Sequence, residues 1–156
     1  MSKDAIEIAT EVLDTLLKFM GIEGKVNPES SSGSSPGLPA VLDIEGQDLG
    51  ILIGRQGQTL AALEYITRLI VAGRLKSWLP LNVDVAGYKR RRRESLQRLA
   101  LHLAEQVKLR KCAISLEPMP PDERRIIHLA LADHPDVTTQ SIGDGENRKI
   151  VISPKA

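Results

Sequence analysis

Two glycines in the segment Gly54-Arg55-Gln56-Gly57 frame the first group of residues that could bind a ligand. Glycine has no Cβ, so the backbone at these positions can approach a phosphate closely. A helix is expected to begin just after Gly57, and its unpaired N–H groups and positive dipole end would point at the loop. Together with the Arg55 guanidinium they predict a loop that holds a sugar-phosphate backbone. The residues predicted to bind are Gly54, Arg55, Gln56, Gly57 and Gln58. The alternative is a tight turn between two helices.

Arg124 and His128 form the second pair. They are four positions apart on a predicted helix and therefore share a face. Arginine binds phosphate with a fork of N–H groups, and a neutral imidazole offers one donor and one acceptor. The pair can hold a phosphate or a sugar without any catalysis. In the alternative interpretation, Arg124 is a surface charge and His128 packs at the rim of the core.

A run of five basic residues lies at the start of the helix predicted over residues 88–110: Lys89, Arg90, Arg91, Arg92 and Arg93. Successive helical residues turn by about 100°, so these side chains surround the helix axis and cannot all face one ligand. The helix dipole also disfavours cations at an N-terminus. Phosphate binding and pairing with the acidic residues 4–14 or 43–48 are equally good interpretations. Phosphate binding would make affinity fall steeply with salt.

Other kinds of chemistry find little support. His128, Asp133 and His134 come nearest to a metal-ligating cluster, but His134 precedes a proline and points elsewhere than His128. The sequence contains neither a Gly-Lys-Ser/Thr phosphate loop nor a nucleophile elbow. We therefore expect no catalytic residue, no metal and no cofactor. The single cysteine, Cys112, excludes an intramolecular disulfide, fits a reducing cytoplasm, and is expected to be buried and structural.

Composition and charge narrow the class of partner. The 156 residues are 42% hydrophobic and 26% charged, typical of a globular protein. Aromatic residues make up only 3%, which disfavours proteins that stack bases on aromatic platforms. Trp78 and Tyr65 are expected in the core or at its rim. Residues 51–110 hold 12 Lys and Arg against 4 Asp and Glu, whereas residues 1–50 hold 3 against 9. This asymmetry predicts one surface that faces a polyanion.

Hydrophobic spacing predicts an α+β fold of two small domains with almost no linker, residues 1–87 and 88–156. The first domain reads α-β-β-α-α-β and the second α-β-α-β-β. Helices are predicted over 4–19, 58–72, 88–110 and 122–133, with a short turn or helix over 48–53. Strands are predicted over 24–26, 39–45, 81–85, 113–116, 137–141 and 149–153. The serine-rich segment 30–37 is expected to be a mobile loop. The expected buried faces are Leu60, Leu63, Thr67 and Ile70 on one helix and Leu96, Leu99, Ala100, Leu103 and Val107 on another.

With these elements in place, residues 1–87 resemble a KH domain of the bacterial type II topology, with residues 54–57 as its loop. The Arg124/His128 spacing on a helix between strands resembles the motif of the R-3-H domain, and residues 84–93 resemble the junction between the two. Residues around the second motif add to the likeness: Leu116, Glu117, Pro118, Met119, Glu123, Val137, Thr138, Thr139, Ser141, Gly143 and Arg148. Essentially the whole chain therefore resembles the Jag family (KhpB/EloR, the SpoIIIJ-associated proteins). Many members begin with an additional Jag domain, which this chain is expected to lack.

The resemblance implies a bacterial, cytoplasmic, non-catalytic protein that binds single-stranded RNA, with single-stranded DNA as an alternative ligand. It implies a regulator or chaperone linked to cell elongation and division, and a small single-KH protein as partner. In this view Leu52, Ile53, Leu60 and Leu63 supply the groove or the core. The competing hypothesis is a protein-interaction adaptor, in which the acidic N-terminal helix and basic middle act in docking without RNA. A nuclease is disfavoured because no carboxylate pair or metal cluster supports one.

Overall fold

The computed structural model describes residues 3–29 and 37–156. The predicted serine-rich loop therefore lies outside the described residues, except for Gly37. The chain divides into two compact units, Met1–Lys89 and Arg90–Ala156. Each unit has its own sheet and its own hydrophobic core. In the part of the chain that the structure describes, no helix combines the length and the apolar character that crossing a bilayer requires.

The described residues of the first unit form three helices and a three-stranded sheet. Its elements are α1 (Lys3–Phe19), β1 (Lys25–Pro28), β2 (Ala40–Glu45), α2 (Gly50–Ile53), a 3-10 turn (Arg55–Gly57), α3 (Gln58–Leu75) and β3 (Leu81–Val85). The order α-β-β-α-α-β confirms the prediction. The sheet order is β1-β2-β3, with β1 antiparallel and β3 parallel to the central strand β2.

Period-two alternation in these strands builds the first core. Leu42, Ile44 and Val83 point to one face and are fully buried, while Asp43 and Asp84 alternate with them and are half-buried on the other. Helix α1 packs against β1 and α3, and α3 packs against β3. The helices therefore lie on the apolar face of the sheet.

The second unit is an α-β-α-β-β domain, again as predicted. Its elements are α4 (Tyr88–Arg110), β4 (Ile114–Ser115), α5 (Pro121–Leu131), β5 (Val137–Ile142), a 3-10 turn (Gly145–Asn147) and β6 (Lys149–Pro154). The antiparallel sheet has the order β4-β6-β5. Pro121 stands at the start of α5, where its missing N–H costs no hydrogen bond.

Both predicted helix faces are largely confirmed, and one predicted position in each is exposed. In α3, Ile70 is exposed and Val71 is fully buried, because Val71 continues the i, i+3, i+7, i+11 row from Leu60. In α4, Leu99 is exposed and Ala104 is buried. The prediction followed the larger apolar side chains, whereas small alanines occupy the closely packed contact.

Three expectations about single residues were wrong. Cys112 is exposed and lies in the connection after α4, where the preceding residue, Lys111, has φ +57°. Tyr65 and Trp78 are also exposed, at 60% and 61%. Tyr65 lies on the outer face of α3, and Trp78 lies in the connection that follows this helix.

Candidate nucleic-acid interface

The Gly54–Gly57 loop is a compact joint between two helices. Helix α2 ends at Ile53, and α3 begins at Gln58 immediately after the 3-10 turn. Three of the four loop residues have positive φ: Gly54 at +69°, Gln56 at +55° and Gly57 at +74°. Only Gln56 adopts this conformation with a side chain, which is uncommon for a non-glycine residue. The loop is therefore a defined backbone conformation and not merely a flexible connection.

Packing explains why both ends of this loop must be glycine. A Cβ added to Gly54 would collide with Thr59 Oγ1 and lie 2.8 Å from Thr59 Cβ. A Cβ added to Gly57 would lie 3.0 Å from the ring of Tyr88. Thr59 and Tyr88 thus support the loop from behind, leaving no room for a Cβ at Gly54 and little room for one at Gly57.

The loop presents polar groups in front of the N-terminus of an 18-residue helix. Arg55 and Gln58 are exposed, and Gln56 is half-buried. The positive end of the α3 dipole and the Arg55 charge make this region electropositive. Leu52, Leu60 and Leu63 belong to the core, and Ile53 packs against it. They therefore anchor the loop and do not line an open groove.

Three of the five side chains in the basic run at the start of α4 form ion pairs with carboxylates. Lys89 Nζ pairs with Glu64, and Arg90 Nε lies 3.5 Å from Glu94. Arg91 and Arg93 are exposed. The sequence suggested residues 4–14 or 43–48 as the acidic partners, whereas the partners in these two contacts are Glu64 and Glu94. The start of α4 is also tied down by Asp84 Oδ1, which accepts the Lys89 N–H at 3.2 Å.

Arg92 forms the strongest of these contacts. Its Nε and terminal nitrogen lie 2.8 and 3.1 Å from the two carboxylate oxygens of Glu123, a bidentate pair. The Glu123 side chain is 7% exposed and that of Arg92 is 30% exposed. This fork joins α4 to the first turn of α5, the helix that carries the second motif. Arg92 is therefore a structural residue, and the predicted basic patch is correspondingly smaller.

Arg124 and His128 lie one turn apart on α5, on one face as predicted, and both are half-buried. Arg124 Nε donates to the Met119 carbonyl at 3.1 Å. The Met119 N–H donates to the Arg148 carbonyl at 3.3 Å, and the Arg148 guanidinium donates to the Gly143 carbonyl at 2.7 Å. A chain of hydrogen bonds thus fixes Arg124 against the segment before α5 and the loop between β5 and β6.

His128 is held by the neighbouring strand. Its Nδ1 lies 2.7 Å from Thr139 Oγ1 and its Nε2 lies 2.9 Å from Ser141 Oγ. These residues are two apart on β5 and so project from the same face. Burial, with a smaller contribution from the Arg124 charge, lowers the pKa of His128 below its usual 6.5. The ring is therefore neutral at pH 7.

Sequence reasoning found both motifs and, through the resemblance, several residues around the second one, but it did not assign the contacts that support either motif. The Arg92–Glu123 fork joins positions 31 residues apart, and nothing in local spacing indicates it. The contact between Gly57 and Tyr88 is likewise long-range. A local signal was available for Thr139 and Ser141, since polar residues at alternate positions beside a helical histidine are candidates for its partners.

Comparison with known proteins matches these two units to two domain families. Residues 10–80 match the family described as KhpA/KhpB, KH domain, and residues 94–154 match the R-3-H domain family. The chain therefore combines a KH domain with an R-3-H domain. The Gly54–Gly57 loop belongs to the first and the Arg124/His128 pair to the second.

Several curated proteins named RNA-binding protein KhpB are similar to this chain. The protein from Clostridium symbiosum is 37% identical over 151 residues, 97% of this chain and 65% of that protein. The one from Bacillus subtilis (strain 168) is 44% identical over 114 residues, 72% of this chain and 55% of that protein. The one from Lactiplantibacillus plantarum is 34% identical over 152 residues, 97% and 46% respectively. The chain is similar to these KhpB proteins and spans between 46% and 65% of the length of the three relatives.

Proposed function

We propose that this chain binds single-stranded RNA without catalysis, through the Gly54–Gly57 loop and the Arg124/His128 surface. The observation that carries the proposal is the loop itself. It combines an exposed arginine, two glycines that admit no side chain, and the N-terminus of a long helix. KH domains clamp about four backbone nucleotides with such a loop. The curated relatives are named as RNA-binding proteins, which supports the same ligand here.

The charge distribution of the first unit favours binding at this loop over binding at the sheet. On the polar face of the sheet, Asp43 and Asp84 are register partners on adjacent strands. Burial, with a contribution from Asp84 and other acidic neighbours, raises the pKa of Asp43. Two facing carboxylates repel a polyanion. RNA would therefore lie on the side of the unit that carries Arg55.

The second unit would contribute a further contact to the same strand of RNA. Arg124 is positioned by its bond to Met119 and offers its terminal guanidinium nitrogens to a phosphate. The proposed binding requires no cofactor or metal. Among residues 3–29 and 37–156, no cluster of three His, Cys, Asp or Glu side chains is arranged to hold a metal ion. The matched families support a binding role in preference to an enzymatic one.

Fluorescence anisotropy with a labelled, unstructured RNA of about 20 nucleotides tests the proposal. Arg55→Asp/Gln56→Asp places two carboxylates at the loop tip and is expected to abolish binding at low salt. The matched control is Lys18→Asp/Ser77→Asp, which changes the formal charge by the same amount at two exposed positions of the same unit. Loss of binding in the loop variant alone supports the proposal. Equal loss in both variants would assign the effect to net charge, and retained binding in both would exclude the loop.

We also propose that the outer face of α3 binds the KH domain of a small single-KH protein. This face is exposed and apolar along more than two helical turns. Its residues are Ala62, Tyr65, Ile66, Leu69, Ile70 and Gly73. A contiguous apolar patch of this kind is typical of an interaction site. The matched KH family covers KhpA as well as KhpB, so a KH domain of the same type would offer a similar helix.

This partner proposal predicts that Leu69→Arg abolishes co-elution with a single-KH protein in size-exclusion chromatography. Phe19→Arg is the matched control, because Phe19 is a more exposed apolar residue on a different helix. Complex formation that survives Leu69→Arg would exclude the α3 face. Stoichiometric complex formation with no RNA binding would favour the adaptor hypothesis. We place this activity in the bacterial cytoplasm and, as the finer proposal, in the control of cell elongation or division.

A further inference from the structure

His128 uses both of its ring nitrogens within the second unit. Nδ1 bonds to the Thr139 hydroxyl at 2.7 Å and Nε2 to the Ser141 hydroxyl at 2.9 Å. An imidazole has no third hydrogen-bonding position, so His128 itself has nothing left to offer a ligand. The two hydroxyl groups do, because each can make further hydrogen bonds and each side chain is partly exposed.

The neutral ring fixes how the two hydroxyls are oriented. A neutral imidazole carries one N–H. One hydroxyl accepts that N–H and keeps its own proton for a ligand. The other hydroxyl donates its proton to the bare ring nitrogen and can only accept from a ligand. The opposite tautomer exchanges the two residues but leaves the pattern unchanged. The pair therefore presents one donor and one set of acceptor lone pairs.

We propose that Thr139 and Ser141, oriented by His128, recognise ribose hydroxyls of the bound RNA. A ribose hydroxyl is at once a donor and an acceptor, so it can pair with either member, while the two members lie on opposite sides of the ring and each contacts its own hydroxyl. A phosphate oxygen only accepts and would leave one member unmatched. His128 is then a positioning residue, and Thr139 and Ser141 are the contacts that distinguish RNA from DNA, which lacks the 2′-hydroxyl. This inference rests on the proposed RNA binding of the second unit.

Arg124 supplies the complementary contact to a phosphate. Its Nε is occupied by the Met119 carbonyl, and its terminal nitrogens make no hydrogen bond to any residue in the ranges 3–29 and 37–156. It stands one turn before His128, and its positive charge reaches the ring. A phosphate and a ribose hydroxyl of the same RNA strand therefore find matching groups on one surface.

The test compares the affinities of the full chain for an unstructured RNA and for DNA of the same sequence. Wild type is expected to prefer RNA by about fivefold or more, the effect of one ordinary hydrogen bond. Thr139→Val and Ser141→Ala should each weaken RNA binding by about fivefold and leave DNA binding unchanged. Thr139→Ser restores the hydroxyl and should restore the preference. Thr138→Val is the control, because Thr138 is exposed on the opposite face of β5.

The outcomes separate this inference from the function on which it rests. Wild type that binds RNA and DNA equally would overturn the inference while leaving nucleic-acid binding intact. Equal losses for RNA and DNA in Thr139→Val would also overturn it and assign Thr139 a purely structural role. An RNA preference that survives both hydroxyl deletions would place the discrimination elsewhere. Wild type that binds neither nucleic acid would instead refute the proposed function.

Discussion

Replacing Arg92 by alanine removes the cation that lies against the nearly buried carboxylate of Glu123. Two hydrogen bonds, of 2.8 and 3.1 Å, are lost, and the Glu123 side chain, which is only 7% exposed, loses this cation. Removing one partner of a buried pair costs about 3–5 kcal/mol. The Arg92 side chain is 30% exposed, so water already screens part of the interaction. We therefore expect the second unit to lose about 2–3 kcal/mol of unfolding free energy.

Urea denaturation followed by circular dichroism measures this loss, and hydrogen exchange of the α5 amides locates it. The lone tryptophan, Trp78, lies in the first unit and does not report on this site. Arg93→Ala is the matched control. Arg93 is the exposed neighbour of Arg92, so this substitution should change the unfolding free energy by less than about 0.5 kcal/mol. Arg92→Lys keeps the charge but not the fork and should fall between the two. Equal stabilities of Arg92→Ala and Arg93→Ala would refute the structural role of Arg92.

Three further predictions concern the loop, the histidine and the arginine pair on α5. Gly54→Ala should lower the unfolding free energy of the first unit by about 1–3 kcal/mol, because the added Cβ meets Thr59. Gly50→Ala adds a Cβ in open space and should leave the unfolding free energy unchanged in the same urea titration. Because burial lowers the pKa of His128, the unfolded state takes up the proton at a higher pH than the folded state, and the free energy of unfolding should fall as pH drops below about 6.5. The urea midpoint of wild type should therefore shift between about pH 7.5 and 5.5. A His128→Gln variant whose midpoint shifts as much as that of wild type would contradict this. Arg124→Ala should make the dependence of log RNA affinity on log salt concentration less steep by about 0.7. Arg125→Ala, at an exposed position of the same helix, should leave this slope unchanged. Equal slopes for the two variants would exclude Arg124 from the interface.

The order of elements was predictable because each obeys a local rule. Alternation in Leu81–Val85, the glycines at 54 and 57, and the prolines before α5 all act over a few residues. The choice between neighbouring helical positions was not predictable in the same way. Ile70 and Val71 are both apolar, and only packing against the sheet decides which one is buried.

The same distinction applies to the candidate site. Residues 54–58 and the pair Arg124/His128 could be named from spacing alone. The bidentate pair of Arg92 with Glu123 could not be predicted in this way. It depends on how α4 packs against α5 and joins residues 31 positions apart in the chain. The outward apolar face of α3 was also missed, because apolar residues at helical spacing are ordinarily read as core.

The most direct test of RNA binding by the Gly54–Gly57 loop is chemical-shift mapping. The isotopically labelled chain is titrated with an unstructured RNA of about 20 nucleotides. Our account predicts that the largest amide shifts fall on residues 54–58, with a second group at Arg124 and around Thr139 and Ser141. Shifts confined to the outer face of α3, or no shifts at all while the chain remains folded, would contradict it.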